Sequence, residues 1–155
     1  MVLYIALAAL LTAADQAIKA WAAGTLKGAA PITIIDGFFR LRYIENDGAA
    51  FSMLRGRQGF FLLITAVAFV LAVYLIRSGG IHGKLGYFAT AFTAGGAVGN
   101  LIDRVRMGYV VDMFDWCWFG FPVFNFADLC ITAGAILFIL MAWFDYRDEK
   151  AAKNK

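Results

Sequence analysis

Four long apolar stretches set the organisation of the 155-residue chain. The first runs from Val2 to about Ala23 and is broken only by Asp15, Gln16 and Lys19. The second, Gly59 to Ile76, carries no charge. The third runs from Leu85 to about Ile102, and the fourth from about Phe126 to Phe144 with a single charge, Asp128, near its start. Each is close to the ~20 apolar residues that a helix needs to cross a bilayer. The pattern therefore predicts an all-α membrane bundle of four transmembrane helices, with residues 1–155 forming a single membrane domain. The helices are joined by two sizeable segments, 24–58 and 103–125, and a short link at 77–84.

The two longer segments carry patterns of their own. Phe39-Arg40-Leu41-Arg42-Tyr43 alternates apolar and basic residues, the period of a half-buried strand, and Asp36-Gly37 before it is a turn signal. Residues 113–121 (MFDWCWFGF) are dense in aromatics, and Trp116 and Trp118 suit a membrane interface. Gly120 and Pro122 then turn the chain back toward the fourth span. Gly48, Gly56 and Gly59 punctuate a stretch, 49–58, with the glycines of a hinged lid. Thr12-Ala13-Ala14 resembles a signal-peptide cleavage site. No basic region precedes it, however, and apolar residues continue to Ala23, so an uncleaved first span is expected.

Composition narrows the class. Hydrophobic residues make up 62% of the chain and charged residues 16%, against roughly 45–50% and 25% in soluble domains. A disordered chain is excluded and a soluble domain disfavoured. A net charge of +3 is no nucleic-acid footprint. Cys117 and Cys130 fit neither a disulfide framework nor a metal spacing. Charge does not orient the bundle. Arg77, Lys84, Arg147, Lys150, Lys153 and Lys155 share a side with the termini. Lys27, Arg40, Arg42, Arg55, Arg57, Arg104 and Arg106 lie on the other.

An up-down bundle gathers the unusual polar residues at one membrane face. Asp15 and Lys19 lie late in the first span, Asn100, Asp103 and Arg104 end the third, and Asn125 and Asp128 begin the fourth. Asn46, Asp47 and Asp112 sit in the segments joining these ends. Ionisable groups in spans are costly and functional by default. Simpler readings stand beside that one. Asp15 and Lys19, at i and i+4, suit a helical ion pair. Asp103 and Arg104 suit an interfacial charge pair, and Asp115 is expected to be solvated. Asp112 and Asp128 have apolar neighbours and no basic residue close in sequence. Two such carboxyls brought together can share one proton, as in aspartic proteases; a capping role for Asp128 at the fourth span competes with this. The lone His82 lies in the link on the opposite face, and no phosphate-binding loop is present. Gly95 and Gly99 suit close helix packing.

These residues, in order, resemble the bacterial lipoprotein signal peptidase (signal peptidase II) family. Asp15-Gln16 with Lys19 matches its D-Q-x-x-K, and Asn46-Asp47-Gly48-Ala49-Ala50-Phe51-Ser52 its N-x-G-x-A-F-[SG]. Gly99-Asn100-Leu101-Ile102-Asp103-Arg104 matches G-N-x-x-D-R, Val110-Val111-Asp112-Met113 matches V-V-D-[FM], and Phe124-Asn125-Phe126-Ala127-Asp128 matches F-N-x-A-D. The resemblance implies a membrane aspartic endopeptidase with Asp112 and Asp128 as its catalytic pair. Asp15, Lys19, Asn46, Gly48, Asn100, Asp103, Arg104 and Asn125 would support the pair or bind substrate. It implies no cofactor and no metal. It places the shared face, with a small β-rich segment, outside the bacterial cytoplasmic (inner) membrane, and both termini in the cytoplasm. The implied partners are a diacylglyceryl-modified prolipoprotein, cut before its lipidated cysteine, membrane lipid, and cyclic peptide inhibitors of the globomycin kind, with no nucleic acid. Two rivals remain. A proton-coupled transporter would need midplane carboxylates and similar halves. In a non-enzymatic assembly subunit the charges would only set helix pairing.

Overall fold

The computed structural model describes residues 1–48, 54, 56–118 and 120–153. Four helices and three strands follow in the order α1 (Val2–Thr25), β1 (Ile32–Ile35), β2 (Phe39–Asn46), α2 (Gln58–Arg77), α3 (Gly83–Met107), β3 (Val110–Trp116) and α4 (Phe126–Lys153). Residues Ala49 to Ser52 of the second motif, and much of the 49–58 stretch whose glycines could serve as hinges, lie outside the described residues.

Three helices, α1, α2 and α4, are long and apolar enough to cross a membrane. At 25 residues α3 is as long, but it carries Gly, Ala and Thr where the others carry Leu, Ile and Val. The reason is its position. It packs against all three other helices, so its small residues meet protein rather than lipid. A Cβ on Gly95 would sit 2.9 Å from the Leu11 Cβ and 3.0 Å from the Ala8 carbonyl of α1. A Cβ on Gly96 would strike the Ala127 carbonyl of α4, and one on Gly99 the Asp15 carboxylate. Small residues thus let both neighbouring backbones approach α3, as in other membrane bundles. The Thr12 hydroxyl seals the α1 side by donating to the Gly95 carbonyl at 2.9 Å. By contrast, α2 has no buried residue and lies at the periphery.

The sequence predicts one strand around Phe39–Tyr43; the described residues form three. Asp36-Gly37 turns β1 into β2, with Gly37 at φ 66°. The antiparallel order is β1-β2-β3. The aromatic density of 113–121 assigns no secondary structure, whereas β3 runs from Val110 through Trp116. Its Val110–Met113 stretch is buried whichever side each residue points to, so it lacks the alternation that marks a half-exposed strand. Val111 and Met113 pack on Ala22 and Leu26 at the end of α1, which seats the sheet on that end of the bundle. Asp115 is not solvated as expected. It is 3% exposed and meets Arg40 Nε at 2.7 Å and Arg42 Nε at 2.8 Å. Cross-strand pairing, invisible to a reading along one segment, supplies these partners.

After β3 the chain folds back. Phe114 and Phe124 exchange backbone hydrogen bonds at 2.9 and 3.0 Å. This bridge fixes the start of α4 beside β3, and with it the site.

Substituting Gly96→Val should overpack the α3–α4 contact at a cost of about 1–3 kcal/mol. The detergent-solubilised variant should melt several degrees below the parent. Gly24→Ala, where an added Cβ meets nothing within 4 Å, should leave the melting temperature unchanged or slightly higher. Differential scanning fluorimetry distinguishes the two.

Candidate active site

The polar residues singled out in the sequence converge at the sheet end of the bundle, in two connected layers. The lower layer is a buried ion cluster. Lys19 Nζ lies 2.9 Å from Asp15 Oδ2 and 2.9 Å from Asp103 Oδ2, and donates to Asn100 Oδ1 at 2.8 Å. Its three donors are therefore all used, as a buried ammonium requires. Gln16 Nε2 donates to Asp103 Oδ1 at 2.9 Å and to the Gly99 carbonyl at 3.2 Å. Asp15 Oδ1 accepts the Ala127 N–H at 2.9 Å, and Asp103 Oδ2 accepts the Val111 N–H at 3.2 Å. The Asp15–Lys19 ion pair expected along α1 is present, but it also joins α1, α3, β3 and α4.

Asp103 and Arg104 part ways. Consecutive helical residues point about 100° apart, so Asp103 turns in to Lys19 while Arg104 turns toward α2. The Arg104 guanidinium lies 4.6 Å from the centre of the Phe61 ring and donates to the Gly48 carbonyl at 3.4 Å. Its own carbonyl accepts from Gln58. The charges of Asp128, Asp112 and Asp103 surround it.

The upper layer holds Asp112 and Asp128. Asp112, 2% exposed, accepts from Asn46 Nδ2 at 2.8 Å through Oδ2 and from Asn125 Nδ2 at 2.6 Å through Oδ1. Asn46 is itself steadied when its Oδ1 accepts the Gly48 N–H at 3.0 Å. Asp128 Oδ1 accepts from Asn100 Nδ2 at 2.9 Å. Its Oδ2 accepts the Asn125 N–H at 3.2 Å, while Asn125 Oδ1 accepts the Asp128 N–H at 3.0 Å. That reciprocal pair is a capping box. Asn125 is the residue before α4, so it, and not Asp128, is the N-cap. Asp128 serves in the cap and still presents its carboxylate to the pocket. The second hydrogen of Asn125 Nδ2 goes to Asn100 Oδ1 at 3.2 Å. One asparagine thus touches both carboxyl-bearing elements and the amide beneath them.

Burial, the largest effect, pushes the Asp112 carboxyl up to about 7. The negative charge of Asp128 adds to the rise, and the Asn46 and Asn125 hydrogen bonds oppose it. A carboxyl that keeps its proton near neutrality beside a second carboxyl is suited to acid–base work. Both open onto a cavity of about 400 Å3. Asn46, Gly48, Asn100 and Arg104 line its polar end, and Trp116, Phe121, Phe124, Leu129 and Thr132 its apolar walls. Gln16, Gln58 and Phe61 also contact the site residues, though none was expected among them. Gln16 falls inside the first motif, which was the available signal. Gln58 and Phe61 reach the site only through the placement of α2. Among the described residues no group of His, Cys, Asp and Glu is arranged to hold a metal ion.

An apolar bundle that carries a carboxyl-lined pocket at one end has the architecture of a multi-pass membrane enzyme. Solved structures agree. One described as a bacterial membrane enzyme at 2.3 Å, determined by the in meso method, superposes with a TM-score of 0.87 at 32% identity, covering 96% of this chain and 92% of its own. A second, at 1.9 Å, gives 0.82 at 33% identity, covering 92% and 93%. Residues 7–144 match the family described as Signal peptidase (SPase) II. Relatives include the lipoprotein signal peptidases of Latilactobacillus sakei, 40% identical over 88% of this chain and 90% of the relative, and Lactiplantibacillus plantarum, 38% identical over 97% and 100%. The chain belongs to the signal peptidase II family, the aspartic peptidases of lipoprotein processing.

Lys19→Met should strand two buried carboxylates and destabilise the protein by about 3–5 kcal/mol. Loss of monodisperse protein on size exclusion is the expected outcome. Adding Asp15→Asn and Asp103→Asn to the same chain should recover part of the folded yield.

Proposed function

We propose that this peptidase cuts diacylglyceryl-modified prolipoproteins before the lipidated cysteine, with Asp112 and Asp128 as its catalytic pair. The observation that carries the reading is the double hold of Asn125. It donates to Asp112 and caps the helix turn that carries Asp128, so both carboxyls are delivered to one pocket. In the reaction, one ionised carboxylate takes a proton from water as the oxygen attacks the scissile carbonyl. The protonated partner donates to that carbonyl oxygen. Collapse of the tetrahedral intermediate breaks the C–N bond, and the proton taken from water passes to the leaving amine. The pair titrates as a unit and shares one proton.

The remaining residues fall into roles around the pair. Asn46, Asn100 and Asn125 hold the carboxyls, Asp15, Lys19 and Asp103 hold the asparagines and helices, and Gly48 and Arg104 close the polar end of the cavity toward the substrate backbone. The apolar walls suit the signal-peptide residues next to the cut, and globomycin-type cyclic peptides would compete for the same cavity. All four helices span the bilayer as one membrane domain. The termini lie in the cytoplasm, and the pocket opens at the outer face of the bacterial inner membrane. An edge strand such as β1 offers unpaired backbone groups to an extended peptide. The diacylglyceryl chains remain in lipid, so the anchor itself brings the scissile bond to the height of the pair.

The test is cleavage of a diacylglyceryl-modified prolipoprotein by the purified protein. The parent should cut before the lipidated cysteine, and Asp112→Asn and Asp128→Asn should each lose at least ~10³-fold in turnover while remaining monodisperse. Near-normal turnover in either variant makes that residue structural. The pH profile follows from the raised Asp112 carboxyl. The active, singly protonated pair persists below about 7, and activity should fall as pH rises through that value because the shared proton is lost. A rate that stays level from neutral to alkaline pH would contradict the shared proton.

A further inference from the structure

The sheet carries a charged cluster that the peptidase chemistry does not use. Alternation along β3 puts Asp115 on the same side as Val111 and Met113, the side packed on α1. Arg40 is its cross-strand partner. Arg40 Nε donates to Asp115 Oδ2 at 2.7 Å. Arg42 Nε lies 2.8 Å from the same oxygen but out of line for a hydrogen bond. Both guanidinium edges therefore converge on one atom, which keeps the two Nε within about 5.5 Å of each other. Among the described residues Asp115 is the carboxylate that meets both guanidinium groups, which leaves one positive charge in excess there. The nearby Lys27 does not contribute to the excess, because Glu45 meets it at 2.8 Å.

Both arginine side chains remain more than a third exposed, at 38% and 37%. Each guanidinium turns its Nε to Asp115 and carries four further N–H donors on its terminal nitrogens. Two forks held side by side match the tetrahedral oxygens of a phosphate better than any single cation does. The surroundings indicate where that phosphate lies. Ile32, Ile34, Ile35 and Phe38, around the outer strand, are exposed, and Trp118 stacks on Phe38 with ring centres 5.7 Å apart. Thr33 is the cross-strand neighbour of Arg40 and Ile32 that of Leu41, so the isoleucines lie on the other face of the same outer edge. An edge that carries exposed apolar and aromatic side chains on one face and a basic cluster on the other suits the lipid–water interface. The sheet sits at the end of α1, a helix long and apolar enough to cross a membrane.

We propose that Arg40 and Arg42, clamped by Asp115, form a binding site for the phosphate of an anionic phospholipid. A zwitterionic headgroup brings its own cation to the same place and cancels the advantage. The bound lipid would hold the sheet flat on the bilayer beside the pocket. The site is separate from the carboxyl pair, and its test does not depend on peptidase activity.

The whole protein is reconstituted in vesicles of equal phosphatidylglycerol and phosphatidylcholine, re-extracted in mild detergent, and the retained lipid identified by mass spectrometry. The parent should retain phosphatidylglycerol about fivefold over phosphatidylcholine. Arg40→Gln/Arg42→Gln/Asp115→Asn removes the cluster without leaving a buried carboxylate unpaired, and should abolish the preference while melting like the parent. Lys27→Gln, which removes a neighbouring cation outside the cluster, should keep it. Equal retention of both lipids by the parent, an unchanged preference in the triple variant, or an equal loss in Lys27→Gln would each overturn the proposal. Displacement of the lipid by millimolar inorganic phosphate would also overturn it, by showing a site for free phosphate.

Discussion

The protein is organised around one buried ammonium. Lys19 carries its charge into the interior of an apolar bundle, where an unpaired ion would be prohibitive. Asp15, Asp103 and Asn100 meet it on three sides. Each partner then does a second task. Asp15 receives the first turn of α4 through the Ala127 N–H, Asp103 receives β3 through the Val111 N–H, and Asn100 steadies Asp128. The charge therefore sets the mutual positions of three helices and a strand. The glycines of α3 make this geometry reachable, since Gly99 clears the space that the Asp15 carboxylate occupies.

The working layer stands on that support and is built from amides. Asparagines donate to a carboxylate without adding charge, so they hold its orientation while burial still raises its affinity for a proton. An arginine or lysine in direct contact would pull the proton off. Arg104, which lines the polar end of the cavity, lies over Phe61 and donates to the Gly48 carbonyl. The neutral scaffold and the diverted cation both favour a pair that keeps one proton near neutral pH.

Much of this was legible in the sequence. Apolar run lengths gave the four helices, and the up-down rule brought the polar residues to one end before any contact was known. The ordered motifs gave the family. Other features depended on pairing between distant segments. The strand over Val110–Trp116 lacks alternation because both of its sides are covered. Asp115 reads as solvated until β2 delivers Arg40 and Arg42. Asp103 and Arg104 read as a pair until the helix turns them apart. The competing roles for Asp128, cap or site, proved compatible, because Asn125 is the cap and Asp128 its partner three residues on.

The shared proton on the carboxyl pair is the central claim, and infrared spectroscopy of the resting enzyme addresses it most directly. At pH 6 the parent should show a protonated carboxyl C=O band that bleaches as pH rises through about 7 and is missing in Asp112→Asn. The absence of any such band at pH 6, or its survival unchanged in Asp112→Asn, would contradict the account.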